Sequence, residues 1–253
     1  MSVTRALHLA SRAPALEVLD LPGRAAAPPL VLLHEGLGSV ALWREFPRQL
    51  HEAAGRRVIA FSRYGHGASE SPPRPRTPMF HHEEALDVLP ALLAELEVIE
   101  PVLVGHSDGA SIALVYAAHH PVSALVLLAP HVFVEALTVE AIEDTRRDYI
   151  TGDLRERMAR RHADPDAAFW GWCDVWLDPA FRDWNLDAEL ARVRARTLLV
   201  QGAEDPYGTL EQLARIEGRM PGPVQRVVVS GGHSPHREHG EWLAERIARF
   251  LAD

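Results

Sequence analysis

The stretch "LVGHSDGAS", Leu103 to Ser111, decides how this chain is read. It places Ser107 between Gly105 and Gly109 in the pattern GxSxG, directly after the apolar run "EPVLVGH" (100–106). By composition alone the pattern is cheap, since about one unrelated chain in ten of this length contains it. Its surroundings carry more weight. The run before it reads as a buried strand, and "SDGASIALVYAAHH" after it has the small and apolar residues of a buried helix. A serine at that junction lies at the carboxyl edge of a sheet, where open α/β proteins place their sites. The two glycines permit a strained turn and close packing, so that Oγ projects upward beside free backbone N–H groups.

Outward from this junction, short apolar runs alternate with helical segments, which predicts an α/β fold with a doubly wound, mostly parallel sheet. Strands are expected at 15–21, 30–35, 57–61, 100–106, 123–130, 196–202 and 224–229. "PGRAAAPP" (22–29) reads as a turn and "SRYGHGASESPPRPRTP" (62–78) as a surface loop. "VALWREFPRQLHEAA" (40–54) reads as one helix with Leu42, Phe46, Leu50 and Ala53 on its inner face. The segment 79–98 is also helical, with Pro90 as a point of kinking. Helices are expected near 209–217 and at the end, in "EWLAERIARFL". Between 131 and 190 no strand pattern appears, and Trp170, Trp172, Trp176 and Trp184 cluster there. We read 1–130 and 191–253 as two parts of one core, interrupted by an inserted helical cap at 131–190.

The 253 residues carry 26 Lys plus Arg against 35 Asp plus Glu, a formal charge of -9 that repels nucleic acid and anionic bilayers. Cys173 is the only cysteine, so no internal disulfide is available. The N-terminal "MSVTRALHLASRAP" lacks the apolar core of a signal peptide, and no run is long enough to span a membrane. A cytoplasmic protein is the expectation, with its oligomeric state left open.

A serine hydroxyl needs a histidine base, which a carboxylate orients. Asp205, in "GAEDP" after one expected strand, and His233, in "GGHSPHRE" after the next, supply both in the order Ser, Asp, His. Over essentially its whole length the chain resembles the α/β-hydrolase fold family. "LLHEGLGSVALW" is similar to that family's oxyanion-hole segment, "GHSDGA" to its nucleophile elbow, "GAEDP" to its acid loop and "GGHSPHRE" to its histidine loop. The resemblance implies Ser107 as nucleophile, His233 as general base, Asp205 as its partner, and backbone N–H donors at Asp108 and at Gly36 or Leu37. It implies an acyl-enzyme route for a small-molecule ester, with no metal or other cofactor. Two departures stand out. Glu35 follows His34 where the family commonly has glycine, and Ser62 and Tyr64 replace a frequent Asp and Arg, which removes any ion pair from that loop.

Several residues have plainer readings. Glu204 competes with Asp205, and His236 and His239 compete with His233; this histidine cluster lacks a metal-binding spacing. His81, His82, His119 and His120 read as solvated helix-end residues, and Arg146, Arg147, Arg160 and Arg161 as a solvated face. Trp170, Trp172 and Trp176 are candidates for the substrate pocket, as is Glu35, though packing is the commoner role of a tryptophan. Asp108 either caps a helix N-terminus or, as in related amino-acid ester hydrolases, receives a substrate ammonium group. The rival reactions are hydrolysis of a carbon–carbon bond in ring-cleavage products, against which Ser234 stands where an aromatic residue is frequent, and ligand reception with slow turnover.

Overall fold

A computed structural model describes residues 3–9, 14–23, 27–71 and 75–252. Residues 24–26 of the expected turn, 72–74 of the expected loop, and 1, 2 and 10–13 of the N-terminal stretch lie outside them. The strands are β1 (Val3–His8), β2 (Ala15–Leu21), β3 (Leu30–Leu33), β4 (Val58–Phe61), β5 (Val102–His106), β6 (Ala124–Leu128), β7 (Thr197–Gly202) and β8 (Val224–Val229). They form one sheet in the order β1-β2-β4-β3-β5-β6-β7-β8. From β4 to β8 every pairing is parallel, while β1 and β2 add an antiparallel edge. The central strands β3, β5 and β6 are buried along their whole length, which is why they read as unbroken apolar runs. β1 had no such signal: it buries Leu7, opposite Leu16 of β2, and exposes Thr4, Arg5, Ala6 and His8.

The segment 40–54 is not one helix. A 3-10 turn at Val40–Trp43 ends where Arg44 turns to φ 52°, and α1 (Phe46–Ala54) begins afresh. Pro47 explains the break, because it cannot donate into a continuous helix but fits a first turn. The inner face is therefore Val40, Trp43, Phe46 and Leu50, while Ala53 is exposed and Leu42 only partly covered. Pro90 acts similarly. α2 (Phe80–Glu83) passes through a π turn (Glu84–Val88) into α3 (Leu89–Glu95), whose first turn holds the proline.

α4 (Asp108–His119) is buried from Asp108 to Tyr116 and packs on the sheet face that also carries α3. After β6 the chain makes a helical excursion, gated by a Phe133–Asn185 bridge and a bond from Leu186 N to Val132 O of 2.9 Å. It contains α5 (Ala136–Thr151), α6 (Leu154–Ala159) and α7 (Pro165–Leu177), and Tyr149, Phe169, Trp176 and Phe181 form an aromatic core with Phe80 of α2. α8 (Asp187–Leu190) falls within the expected 131–190 span, yet Leu186 and Leu190 pack into the core against the sheet. α9 (Glu211–Arg219), α10 (Pro235–Glu238) and α11 (Gly240–Ala252) complete the chain, with α1 and α11 packed together on the opposite sheet face. Among the described residues no helix is long and apolar enough to cross a membrane.

Candidate active site

β5 ends at His106 and α4 begins at Asp108, so Ser107 takes the whole reversal with φ 54° and ψ -119°. This is a costly backbone for a residue with a side chain, and the surrounding packing must hold it. It does so by close approach. A Cβ on Gly109 would overlap the carbonyl of Leu33 in β3, and one on Gly105 would overlap the backbone of Gly109 and Ala110. Ser107 N donates to Leu128 O of β6 at 2.9 Å.

Above Ser107 lies a cavity of about 150 Å³. Its floor and sides come from residues that follow strand ends: Glu35, Gly36 and Leu37 after β3, Ser107 and Asp108 after β5, His131 after β6, Tyr207 after β7 and His233 after β8. Thr138 and Ile142 of α5 and Trp172 and Trp176 of α7 close it from the excursion. Gly36 has to be glycine, since a Cβ would collide with the indole of Trp172.

The loop after β8 brings His233 to Asp205. Nδ1 of the imidazole lies 2.9 and 2.8 Å from the two carboxylate oxygens. Because a carboxylate only accepts, Nδ1 carries the proton and Nε2 keeps a free lone pair. Asp205 also accepts from Tyr207 N at 2.8 Å. Burial pushes its pKa up, but the His233 bond and the Tyr207 N–H outweigh this and hold it below the usual carboxylate range. Glu204 faces away, accepting from Gly231 N instead. His239 donates to Ser230 O at 2.7 Å, and His236 is buried among Trp43, Phe46 and His106, so the loop histidines do not converge.

The wall at 34–37 is braced from beneath. Arg63, 1% exposed, donates from its two Nη groups to His34 O and Glu35 O. His66 Nε2 donates to Gly36 O at 2.8 Å and His162 Nε2 to Leu37 O at 3.1 Å. Four consecutive carbonyls are thus held by side chains. Within a trans peptide the C=O and the next N–H point oppositely, so the N–H groups of Gly36 and Leu37 turn away from the brace. His34 and His162 are neutral, because each also accepts a bond, His34 Nε2 from Arg63 N and His162 Nδ1 from Gly67 N, while His66 Nδ1 lies 3.2 Å from both Arg76 Nη2 and the Tyr64 carbonyl. Burial holds His34 and His66 well below the ordinary histidine pKa and lowers that of His162. The expected loss of an ion pair at Ser62 and Tyr64 is met differently here. Ser62 Oγ donates to Glu17 at 2.6 Å and accepts from Val40 N at 2.9 Å, and Arg63 supplies the charge.

Asp108 is 1% exposed, and its Oδ1 accepts from His81 Nε2 and Trp176 Nε1, both at 3.1 Å. Oδ1 thus serves side chains of α2 and α7 and not the helix N-terminus. Burial pushes its pKa up, but the His81 bond and nearby Arg63 and His131 bring it down to about 2. His81 is wholly buried, which corrects its reading as a solvated helix-end residue; partnership with a buried carboxylate is what makes that burial tolerable. His82 is only partly covered and bonds to Glu189 at 3.1 Å, whereas Arg146, Arg147, Arg160 and Arg161 are exposed as expected.

Of the tryptophans named for the pocket, Trp172 and Trp176 line it, but Trp170 does not. Two residues before Trp172, and so about 200° around the helix from it, Trp170 points outward, half-buried against Phe169 with the Arg146 guanidinium 5.9 Å above its ring. Sequence reasoning missed His131, whose ring lies 5.6 Å from that of His233 and whose pKa burial drives down to about 3. It also missed Tyr207, 4.9 Å from His233, and the brace of Arg63, His66 and His162. The strand-end rule that found Asp205 and His233 would have found His131 and Arg63, because both closely follow a buried strand.

The alpha/beta hydrolase family profile matches residues 30–246. A proline iminopeptidase of Lactobacillus crispatus (strain ST1) is 35% identical, over 90% of this chain and 91% of that one. A 2-hydroxymuconate semialdehyde hydrolase of Pseudomonas sp. (strain CF600) is 26% identical, over 89% of this chain and 87% of that one. An esterase structure from Exiguobacterium antarcticum superposes with a TM-score of 0.77 at 21% identity, covering 99% of this chain and 100% of that one, and so shares the fold. With the profile running from β3 into the last helix, the chain belongs to the alpha/beta hydrolase family.

Proposed function

We propose that this hydrolase cleaves carboxylic esters through an acyl-enzyme on Ser107, with His233 as general base and Asp205 as its orienting partner. The observation that carries the reading is the fixed tautomer of His233. Its Nδ1–H is spent on Asp205, so Nε2 is the acceptor for a proton on the cavity that Ser107 also lines. Ser107 Oγ attacks the ester carbonyl as its proton passes to His233 Nε2. The tetrahedral oxyanion is stabilised by backbone N–H groups of Asp108 and of Gly36 or Leu37, each such donor typically contributing about 3 kcal/mol. His233 returns the proton to the leaving alkoxide, an alcohol departs, and water repeats the sequence to release the acid. The excursion α5–α7 acts as the cap. Its contributions, Ile142, Trp172 and Trp176, make the cavity mostly apolar, and its size suits a short or single-ring acyl group.

A second reading concerns the substrate. Oδ2 of Asp108 is buried without a hydrogen-bond partner while Asp108 lines the cavity, so a cationic amine on the substrate would complete it. The resemblance to a proline iminopeptidase agrees with that chemistry. The test is labelling with a fluorophosphonate and mapping of the adduct, followed by short acyl esters, α-amino esters with their N-acetyl counterparts, and a vinylogous diketone. An adduct on Ser107 with ester turnover supports the reading. Turnover of the diketone alone moves the chain to carbon–carbon hydrolysis, and preference for the free amine that Asp108→Asn abolishes establishes the second reading.

A further inference from the structure

Glu35, the residue that departs from the family pattern, reaches away from the brace toward the histidine loop. Its Oε2 lies 3.3 Å from His106 Nδ1, and its Oε1 accepts from Arg237 Nη2 at 3.3 Å. Gly38 makes room for it, since a Cβ there would overlap the Glu35 carboxylate. The other nitrogen of His106, Nε2, lies 2.7 Å from the backbone carbonyl of His233. His106 is wholly buried, while the Glu35 side chain is 18% exposed.

Both partners of His106 are acceptors: a carbonyl accepts, and so does a carboxylate. A neutral imidazole has a single N–H. Were it on Nε2, the Nδ1 lone pair would face the carboxylate; were it on Nδ1, the Nε2 lone pair would face the His233 carbonyl at 2.7 Å. Either arrangement leaves a buried repulsion. Satisfying both contacts takes one further proton. Burial pushes the Glu35 carboxyl up, but the His106 bond and the charges of Arg237 and His236 hold it well below the usual range. Glu35 is therefore the anion, and both His106 contacts are bonds only when each ring nitrogen carries a hydrogen.

We infer that Glu35 and His106 are a proton-bearing pair that positions His233, tying the loop after β3 to the loop after β8 through the His233 carbonyl. Arg237, in α10 of the same histidine loop, gives the pair a second attachment to Glu35. The groups facing His106 are Glu35 after β3, Trp43 in the 3-10 turn, and His233 and His236 after β8, with ring centroids at 6.3, 5.1 and 4.8 Å respectively for the three aromatic groups. Glu35 is the one anion in this set. When the pair loses its proton, one of the two bonds becomes a repulsion, and the carbonyl that seats the catalytic imidazole is released.

As a statement about catalysis this rests on the function proposed above, so the test has one arm that needs no turnover. In that arm, ¹⁵N-histidine spectra assigned by His106→Gln show His106 with both ring nitrogens protonated at neutral pH, and with one protonated in Glu35→Leu. A single protonated nitrogen in the unmutated protein overturns the inference. In the kinetic arm, Ser107 labelling is first checked in the unmutated enzyme, where its failure would strike the proposed function and leave the spectra to judge the pair. Glu35→Leu and His106→Phe are expected to lower kcat by about ten- to a hundredfold with little change in KM, as misplacement of a catalytic group does. The unmutated enzyme has an alkaline limb in kcat that Glu35→Gln lacks, and Glu35→Gln recovers most of the kcat that Glu35→Leu loses, because the amide can donate to a neutral His106. Equal pH profiles in all variants, with Ser107 still labelled, would also overturn it.

Discussion

Two stretches of backbone form adjacent walls of the cavity above Ser107, and opposite means hold them. At Ser107 the restraint is steric: Gly105 and Gly109 let α4 and β3 meet backbone to backbone amid apolar strands. At 34–37 the restraint is a set of hydrogen bonds from Arg63, His66 and His162 onto four successive carbonyls. Close packing has no titratable part. A polar brace has several, and each works only while its buried partner is satisfied. The lesson is that one site combines a wall indifferent to pH with a wall sensitive to it.

The largest effect expected comes from the steric wall. Ser107→Ala should lower kcat/KM for a short p-nitrophenyl ester by about a million-fold while circular dichroism and the urea midpoint stay unchanged, since alanine asks no more room than serine. Gly109→Val attacks the packing itself, because its side chain would enter the space of the Leu33 carbonyl. A loss of about 3 kcal/mol in urea unfolding, independent of pH, is the expected outcome. If the loss were under 1 kcal/mol, the backbone contact would not be what holds the elbow.

The polar wall is tested next. Arg63→Met keeps most of the volume but strips donors from His34 O and Glu35 O, and about a hundredfold drop in kcat should accompany about 2 kcal/mol of destabilisation. An unchanged kcat would separate the brace from the reaction. The neutral histidines add a pH signature. Their folded pKa values lie below the ordinary value of about 6.5, so the folded state binds fewer protons than the unfolded one, and stability falls as pH drops below about 6.5. Each contributes up to about 1.4 kcal/mol per pH unit until its own folded value is reached. His81, His131 and His236 act with the same sign, whereas the depressed carboxylates of Glu35 and Asp108 add loss only below about pH 4.5. Urea unfolding at intervals from pH 7.5 to 5 should show this slope, reduced in His162→Gln. The smallest effect should be Trp170→Ala, which leaves KM within about twofold because that ring lies outside the cavity, whereas Trp172→Ala raises it.

How legible each wall was follows from the same contrast. The steric wall is written locally: GxSxG between a buried strand and a buried helix names its residues, and strand ends at 202 and 229 point to Asp205 and His233. The polar wall is assembled from 34–37, 63, 66 and 162, which no sequence period relates. His81 misled for that reason. Beside His82 it looks like a solvated helix end, and only the approach of α2 to Asp108 reveals a buried bond. Trp170 misled for another, since membership in a tryptophan cluster does not say which helical face meets the cavity.

By itself the sequence determined the α/β layering, the order of seven of the eight strands along the chain and the strand-to-helix junction at Ser107, because hydrophobic periodicity and glycine placement are local properties of a chain. Tertiary structure alone decided that Val3–His8 joins the sheet, that Pro47 resets its helix, and that Asp205 and not Glu204 meets His233. It alone decided, too, which buried histidines are neutral. A tautomer depends on what each ring nitrogen meets, and those partners come from strands and helices far apart in the chain.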